Sequence, residues 1–338
     1  MLLLAFLLAW AAQAQTVLCD RERSASLARE AQIAMRSRSY DLAAQRLEDA
    51  IDACPDNREL LLDLARAQAA GKRFDRAIQV AERYLAGDSG STAGRLVLAN
   101  TYLMAQQPQQ ALAEAERVLR DHPFKPPALK IKGNALYLLG KTGQAVDTFI
   151  QLLDRHPGDE DGAYMLGRIY YQDGQTDLAI GQFERALKLQ PNSYKALDNL
   201  GLCYQAKGDE RKAIQYFLSA IKLVEKDHPE YDWAYANLAD LLFKTGDAQQ
   251  AFNAAAKAAD RNPMSARNFY IGAKALEQLG KAELSLNWVQ RATALDPSYS
   301  DAWYLLARLY RKSGLEAKAE EARQRFLAAK AREPAQRK

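Results

Sequence analysis

Small and bulky apolar residues return along this chain at a fixed interval of 34 residues, with polar positions between them. Counting positions 1 to 34 from Glu160, Leu166, Gly167, Tyr170 and Gly174 stand at 7, 8, 11 and 15. Ala179, Phe183, Ala186 and Pro191 follow at 20, 24, 27 and 32. Steps of 34 in both directions keep the register, with units beginning at Ser24, Arg58, Thr92, Pro126, Glu160, Tyr194, Asp232, Ala266 and Ser300. Position 8 is always small (Ala31, Ala65, Ala99, Gly133, Gly167, Gly201, Ala239, Ala273, Ala307), and position 20 is Ala in every unit but the eighth, which has Ser285. Alanine and leucine dominate and β-branched runs are few, which favours helix. Small residues at 8 and 20 let two antiparallel helices approach closely, while bulky ones at 4, 7, 11 and 24 fill the space between, as with Leu197, Leu200, Tyr204 and Phe217. Each large side chain so buried is worth about 1.5–3 kcal/mol. Proline at position 32 (Pro55, Pro123, Pro157, Pro191, Pro263, Pro297) stops the second helix of a unit.

These residue types at this spacing resemble the tetratricopeptide repeat (TPR) family, whose unit is a helix–turn–helix. The resemblance implies an all-α fold: an α-α superhelix, or right-handed solenoid, of about nine such repeats spanning residues 24–333 as one domain. In such an array each unit packs on its neighbours, so a single unit does not fold alone. The sixth unit carries four extra residues around Glu225-Lys226-Asp227-His228 before Pro229. That is close to one helical turn, so its second helix lengthens without losing its face, and a change of superhelix angle is expected between units one to six and seven to nine. Arg323 at position 24 of the last unit and Glu30 at position 7 of the first suit the solvated ends of an array.

Residues 1–14 read as a signal peptide: an apolar run from Met1 to Trp10, then the Ala12-Gln13-Ala14 pattern of a cleavage site. The run is short of the roughly 20 residues a membrane span needs. Residues 15–23 form a lead-in and 334–338 a polar tail. Leu18 is a poor match for the small residue expected before a lipidated Cys19. Cys19 precedes the first helix of unit one and Cys54 follows its second, so the antiparallel pair brings them near each other. A bridge there would be worth at most about 3–4 kcal/mol, and two unpaired thiols fit the residues equally. Cys203, between Leu202 and Tyr204, reads as a small buried side chain.

Charge narrows the function. The chain has 46 basic and 42 acidic residues, interspersed, for a net +4. No continuous basic stripe marks a nucleic-acid surface. His122, His156 and His228 each precede a proline at a helix C-terminus, where a partly positive ring suits the dipole. No metal-ligand, nucleophile-elbow or phosphate-loop motif is present, so the residues predict no catalytic group, metal or cofactor. About 23 residues before the repeats and five after them are expected to leave no room for a catalytic domain.

What remains is a surface. In the family, first helices line a concave groove, and ligand contacts come from positions 2, 5, 9, 12 and 13 of each repeat. Carried onto this sequence, these positions select Arg66 in unit two, Asn100 and Leu103 in unit three, and Lys130, Asn134 and Tyr137 in unit four. Unit five gives Tyr164, Arg168 and Tyr171; unit seven gives Trp233, Asp240 and Phe243. Tyr270 and Lys274 follow in unit eight, and Tyr304, Arg308 and Arg311 in unit nine. Aromatics, amides and cations of this kind grip extended peptides; the tyrosines also suit simple packing between first helices. Lys130, Asn134 and Lys195 match positions of the carboxylate clamp that some members use to hold chaperone C-termini, but Met165 and Asn199 break it. The resemblance therefore implies a non-catalytic protein-interaction scaffold of the cell envelope, exported to the periplasm or beyond, with a polypeptide in the groove. An accessory subunit of an envelope enzyme and a glycan- or lipid-binding protein are the rival expectations.

Overall fold

The computed structural model describes residues 19–332, and the predicted signal peptide and C-terminal tail lie outside them. The described residues form eighteen helices in antiparallel hairpins, one hairpin per 34-residue unit, and no strand. They divide into two compact units, ending and beginning at Gly158 and Asp159. The first holds α1 (Arg21–Arg36), α2 (Tyr40–Ala53), α3 (Glu59–Ala70), α4 (Phe74–Gly87), α5 (Thr92–Met104), α6 (Pro108–Asp121), α7 (Pro126–Leu138) and α8 (Thr142–Arg155). The second holds α9 (Glu160–Gln172), α10 (Thr176–Leu189), α11 (Tyr194–Ala206), α12 (Glu210–Asp227), α13 (Trp233–Lys244), α14 (Ala248–Arg261), α15 (Ala266–Gln278), α16 (Ala282–Leu295), α17 (Ser300–Lys312) and α18 (Glu316–Arg332). Within each unit, successive hairpins stack as a TPR-like solenoid. The division falls between the fourth and fifth hairpins, not at the insertion in the sixth. The lead-in is also shorter than expected: α1 starts at Arg21, with Asp20 accepting the Arg23 N–H at 2.9 Å as its N-cap.

The two small columns are where paired helices touch. Every residue at positions 8 and 20 is buried. Where position 8 is glycine, a phenylalanine at position 24 fills the missing volume, giving the pairs Gly133–Phe149, Gly167–Phe183 and Gly201–Phe217, all three rings fully buried. A β-carbon on Gly133 would meet the Phe149 ring at 2.6 Å, and one on Gly167 the Phe183 ring at 2.9 Å. In the second and third hairpins, where position 8 is alanine, position 24 is alanine too: Ala65 with Ala81 and Ala99 with Ala115. In the eighth hairpin, the Ser285 hydroxyl satisfies itself on the Ala273 carbonyl at 2.7 Å, so a polar atom survives at the same crossing.

Turns between paired helices repeat one geometry. The last residue of the turn bonds back five residues, as Gln175 N–H does to the Tyr170 carbonyl at 2.8 Å, and the residue before it is left-handed. In the last six hairpins that residue is glycine, Gly174 among them, whereas Arg38, Lys72 and Gln106 hold it in the first three, with φ near +60°. Second helices end on a non-helical residue, with φ −133°, −131° and −134° at His122, His156 and His228, where the following proline disfavours further helix; Asp88 ends α4 in similar form with no proline after it.

Two local devices depart from the repeat. Cys19 and Cys54 form a disulfide with a Cα–Cα distance of 4.1 Å, tying the start of α1 to the end of α2. Beside it, Asp20 N–H bonds the Ala53 carbonyl at 2.8 Å and the Ser24 hydroxyl the Ala50 carbonyl at 2.8 Å. Helix α1 buries only Ser24, Ala31 and Ala34, so the covalent tie reinforces a helix with little core of its own. In the sixth hairpin, α12 runs 18 residues where α10 and α14 have 14, so the extra residues are one added turn. Its exposed carbonyl end is capped by Arg261 of α14, whose guanidinium donates to the Val224, Glu225 and His228 carbonyls at 3.0–3.3 Å.

Two outcomes follow for stability. Gly201→Ala is expected to lose about 1–3 kcal/mol in urea unfolding by overpacking the Phe217 ring, with Phe217→Leu in the same chain recovering part of the loss. Lys72→Gly and Gln106→Gly are each expected to gain about 0.5–1 kcal/mol, since a left-handed side chain is relieved at some cost in unfolded-state entropy. Equal midpoints for parent and variants would show that neither constraint operates.

Candidate partner-binding face

In the first unit, the residues selected by sequence carry differing burdens. The Arg66 guanidinium is exposed and paired with Asp63 on its own helix at 2.7 Å. The exposed Asn100 amide lies 3.6 Å from the Met104 sulfur. Leu103 packs against the cluster of Ala99, Ala111, Ala115 and Ile131, and this makes it largely a core residue. Lys130, Asn134 and Tyr137 are half-buried on α7, and the Asn134 Oδ1 is enclosed without a hydrogen-bond donor.

In the second unit, Tyr164 and Tyr171 lean on the Phe183, Leu200 and Cys203 cluster, so both do packing work. Burial raises the pKa of each phenol. The Asn199 amide donates to the Tyr164 oxygen at 3.3 Å, and the Arg168 guanidinium stands 6.0 Å from the Tyr164 ring centre. Cys203 is buried, and desolvation pushes its thiol up to about 12, which leaves it inert as a nucleophile.

Around the insertion lies a polar network. Asp198 of α11 is only 3% exposed, yet both oxygens are satisfied: the Tyr231 hydroxyl donates at 2.7 Å and the Asn237 amide at 2.9 Å. Arg267 of α15 donates to the Asn237 Oδ1 at 2.9 Å and holds its guanidinium 5.5 Å from the Trp233 ring centre. Burial raises the Asp198 pKa while its two donors oppose the rise. Tyr231 is also pinned by ring contact with Tyr194 at 4.7 Å, and Asn268 of α15 donates to the buried Asp232 at 2.6 Å. These bonds orient Trp233, which remains 56% exposed. Asp198 and Arg267 sit at positions 5 and 2, within the family's own groove rule, though they are not among the residues selected from sequence; Tyr231 follows the inserted turn, where a fixed period gives no signal.

The last three hairpins carry the densest set. Phe243 and Tyr270 flank the Lys274 ammonium, their ring centres 4.2 and 5.4 Å away. Burial lowers the Lys274 pKa, with Asp240 pulling the other way. Tyr270 lies 5.0 Å from Tyr299, and burial followed by the Asp301 charge pushes its phenol up to about 12. Tyr304 is 55% exposed, with Phe326 behind it at 5.5 Å and the Arg308 guanidinium 5.9 Å from its ring centre. Arg308 and Lys312 share Glu277, and Lys244 pairs with Asp240 at 2.7 Å. Arg311 is exposed at the end of α17.

Family models described as tetratricopeptide repeat match residues 29–92 and 236–299, 68–134, 131–159, 193–263 and 288–324, and one described as TPR repeat matches 167–208. The protein is a helical-repeat protein, and the chain belongs to the tetratricopeptide repeat family. Among solved structures, it is similar to a tetratricopeptide repeat protein from Parabacteroides merdae, with 18% identity and TM-score 0.58 over 75% of this chain and 98% of that one. It also resembles the APC/C hetero-tetramer Cut9–Hcn1, with 17% identity and TM-score 0.64 over 87% of this chain and 57% of that one. At these identities the likeness is one of fold. No curated protein sequence matches the chain.

Lys274 generates a test of whether its place is structural. A half-buried ammonium opposed only by ring faces is poorly compensated, so Lys274→Met is expected to leave the thermal midpoint at pH 7 equal or higher. A clear fall in midpoint would make the lysine a stabilising group.

Proposed function

We propose that this protein is a non-catalytic interaction scaffold that holds a partner polypeptide on the first-helix face of its second unit. The observation that carries the reading is the set of aromatic and cationic side chains on α13, α15 and α17. Trp233 and Tyr304 keep more than half their surface exposed while neighbouring polar groups fix their orientation. Large, oriented, half-exposed aromatics beside cations are the side chains that dominate polypeptide binding, because they bury much area at little entropic loss. Membership in a repeat family built to present such faces supports the same reading.

The address belongs to the proposal as well. The segment at residues 1–14 has the form of an export signal, and the Cys19–Cys54 disulfide suits an oxidising compartment. We therefore place the protein in the cell envelope, in the periplasm or outside the cell.

Affinity capture from envelope extract, followed by mass spectrometry, identifies the partner. Trp233→Ala with Tyr304→Ala is expected to weaken its binding at least about tenfold, with the far-ultraviolet circular dichroism unchanged. Retained affinity in that variant moves the site off this face. Capture that survives protease treatment of the extract assigns the ligand to glycan or lipid instead.

A further inference from the structure

Position 7 of the repeat is a buried apolar column with one break inside the array. Leu64, Leu98, Leu166, Leu200, Leu238 and Leu306 occupy it, all buried. In the eighth hairpin the column has Gly272, and the Trp288 ring from position 23 refills the space. A β-carbon on Gly272 would meet that ring at 2.4 Å. Glu30 stands in the first hairpin, where a solvated end is expected. The fourth hairpin has Lys132 in the column and only Thr148 at position 23, so the lost leucine is not replaced.

A depression of about 320 Å³ lies at that break, between α6, α7 and α8. Leu112 and Leu136 give it apolar walls, and Lys132, Lys141, Glu116 and Asp147 line it with charge. The Lys132 ammonium stands 3.8 Å from the Glu116 Oε1, too far for a hydrogen bond, and has no other partner among the described residues. The Thr148 hydroxyl donates instead to the Gln144 carbonyl at 2.7 Å. An exposed ion pair of this kind adds little stability, whereas a leucine here would bury a whole side chain. Lys132 thus breaks the local packing rule without a structural return, which is the mark of a functional position.

We propose that this depression binds a small zwitterion, an α-amino acid with an aliphatic side chain. Its carboxylate meets Lys132, its ammonium meets Glu116, and its side chain lies against Leu112 and Leu136. The volume stands at the lower end of the range for small-molecule pockets, which suits a ligand of this size. Charge selects the class. Two ammonium groups and two carboxylates line the site, so a simple anion or cation is opposed by half of them, while a zwitterion satisfies both kinds. Lys132 and Glu116 are close but not hydrogen-bonded to each other, so each keeps capacity for a charge-assisted bond to the ligand. No aromatic ring lines the depression for a sugar or a base to stack on. None of its residues stands at positions 2, 5, 9, 12 or 13, so the site is separate from the partner-binding face and independent of that reading.

The test is isothermal titration calorimetry of the full chain with L-alanine, L-leucine and L-methionine. At least one is expected to bind saturably, with a Kd on the order of 1 mM or tighter. The N-acetyl derivative of that amino acid lacks the ammonium, and its amide lacks the carboxylate. Each is expected to bind at least about tenfold more weakly, and inorganic phosphate is expected not to compete. Lys132→Leu restores the column, and is expected to abolish binding while leaving the thermal midpoint equal or higher. Glu116→Gln, at an exposed position, is expected to weaken binding at least about tenfold with the midpoint unchanged.

Binding by none of the three amino acids overturns the inference, as does equal binding of the two derivatives or competition by phosphate. Unchanged affinity in either variant overturns it as well. A lower midpoint in Lys132→Leu has the same force, because it assigns the lysine a structural role.

Discussion

Paired helices in this chain meet where there is room for either a methyl group on each side or a single aromatic ring against bare backbone, and the remaining architecture is arranged around that contact. Gly133, Gly167 and Gly201 accept the rings of Phe149, Phe183 and Phe217, while alanines oppose one another in the second and third hairpins. In each case the two residues at the crossing are matched, since a β-carbon opposite a ring would clash with it. Stacking places the first turn of one first helix beside the residue that precedes the next. Ser193 reaches Glu160, position 1 of its unit, at 3.0 Å, and Tyr231 reaches Asp198, position 5 of its unit, at 2.7 Å. Local packing inside a hairpin thus determines which side chains converge on a face many residues apart in sequence.

That hierarchy explains which parts were readable from sequence. Helices, turns and the small columns repeat with the period, since each depends on contacts within one unit; α12 lengthened by one turn because its insertion matched the helical pitch. The division at Gly158 was not readable, because the residues there keep the repeat pattern intact. The face was legible as a set of positions but not as a set of roles. Leu103, Tyr164 and Tyr171 turn partly into the core, whereas Arg267 and Asp198, at equally eligible positions, organise the surface. Roles depend on what lies some 34 residues away, and a single-unit rule does not contain that information.

The electrostatics of the second unit follow a division of labour. Asp198 is a buried acid each of whose oxygens accepts a hydrogen bond, and its network links three first helices. Glu277 gathers two cations at the surface. Between these groups, Trp233 and Tyr304 keep large exposed areas, and the Lys274 ammonium lies over the Phe243 and Tyr270 rings.

The Arg261 cap has a consequence for how the protein emerges from the ribosome. The last carbonyls of α12 are satisfied by a side chain that follows Val224 by 37 residues in the sequence. At roughly 5–20 residues per second, synthesis leaves that helix end open for about two to seven seconds. Until that side chain arrives, the Val224, Glu225 and His228 carbonyls lack the Arg261 donor. The nascent chain therefore passes through a stage in which the sixth hairpin is formed but not yet locked, and the arrival of α14 closes it.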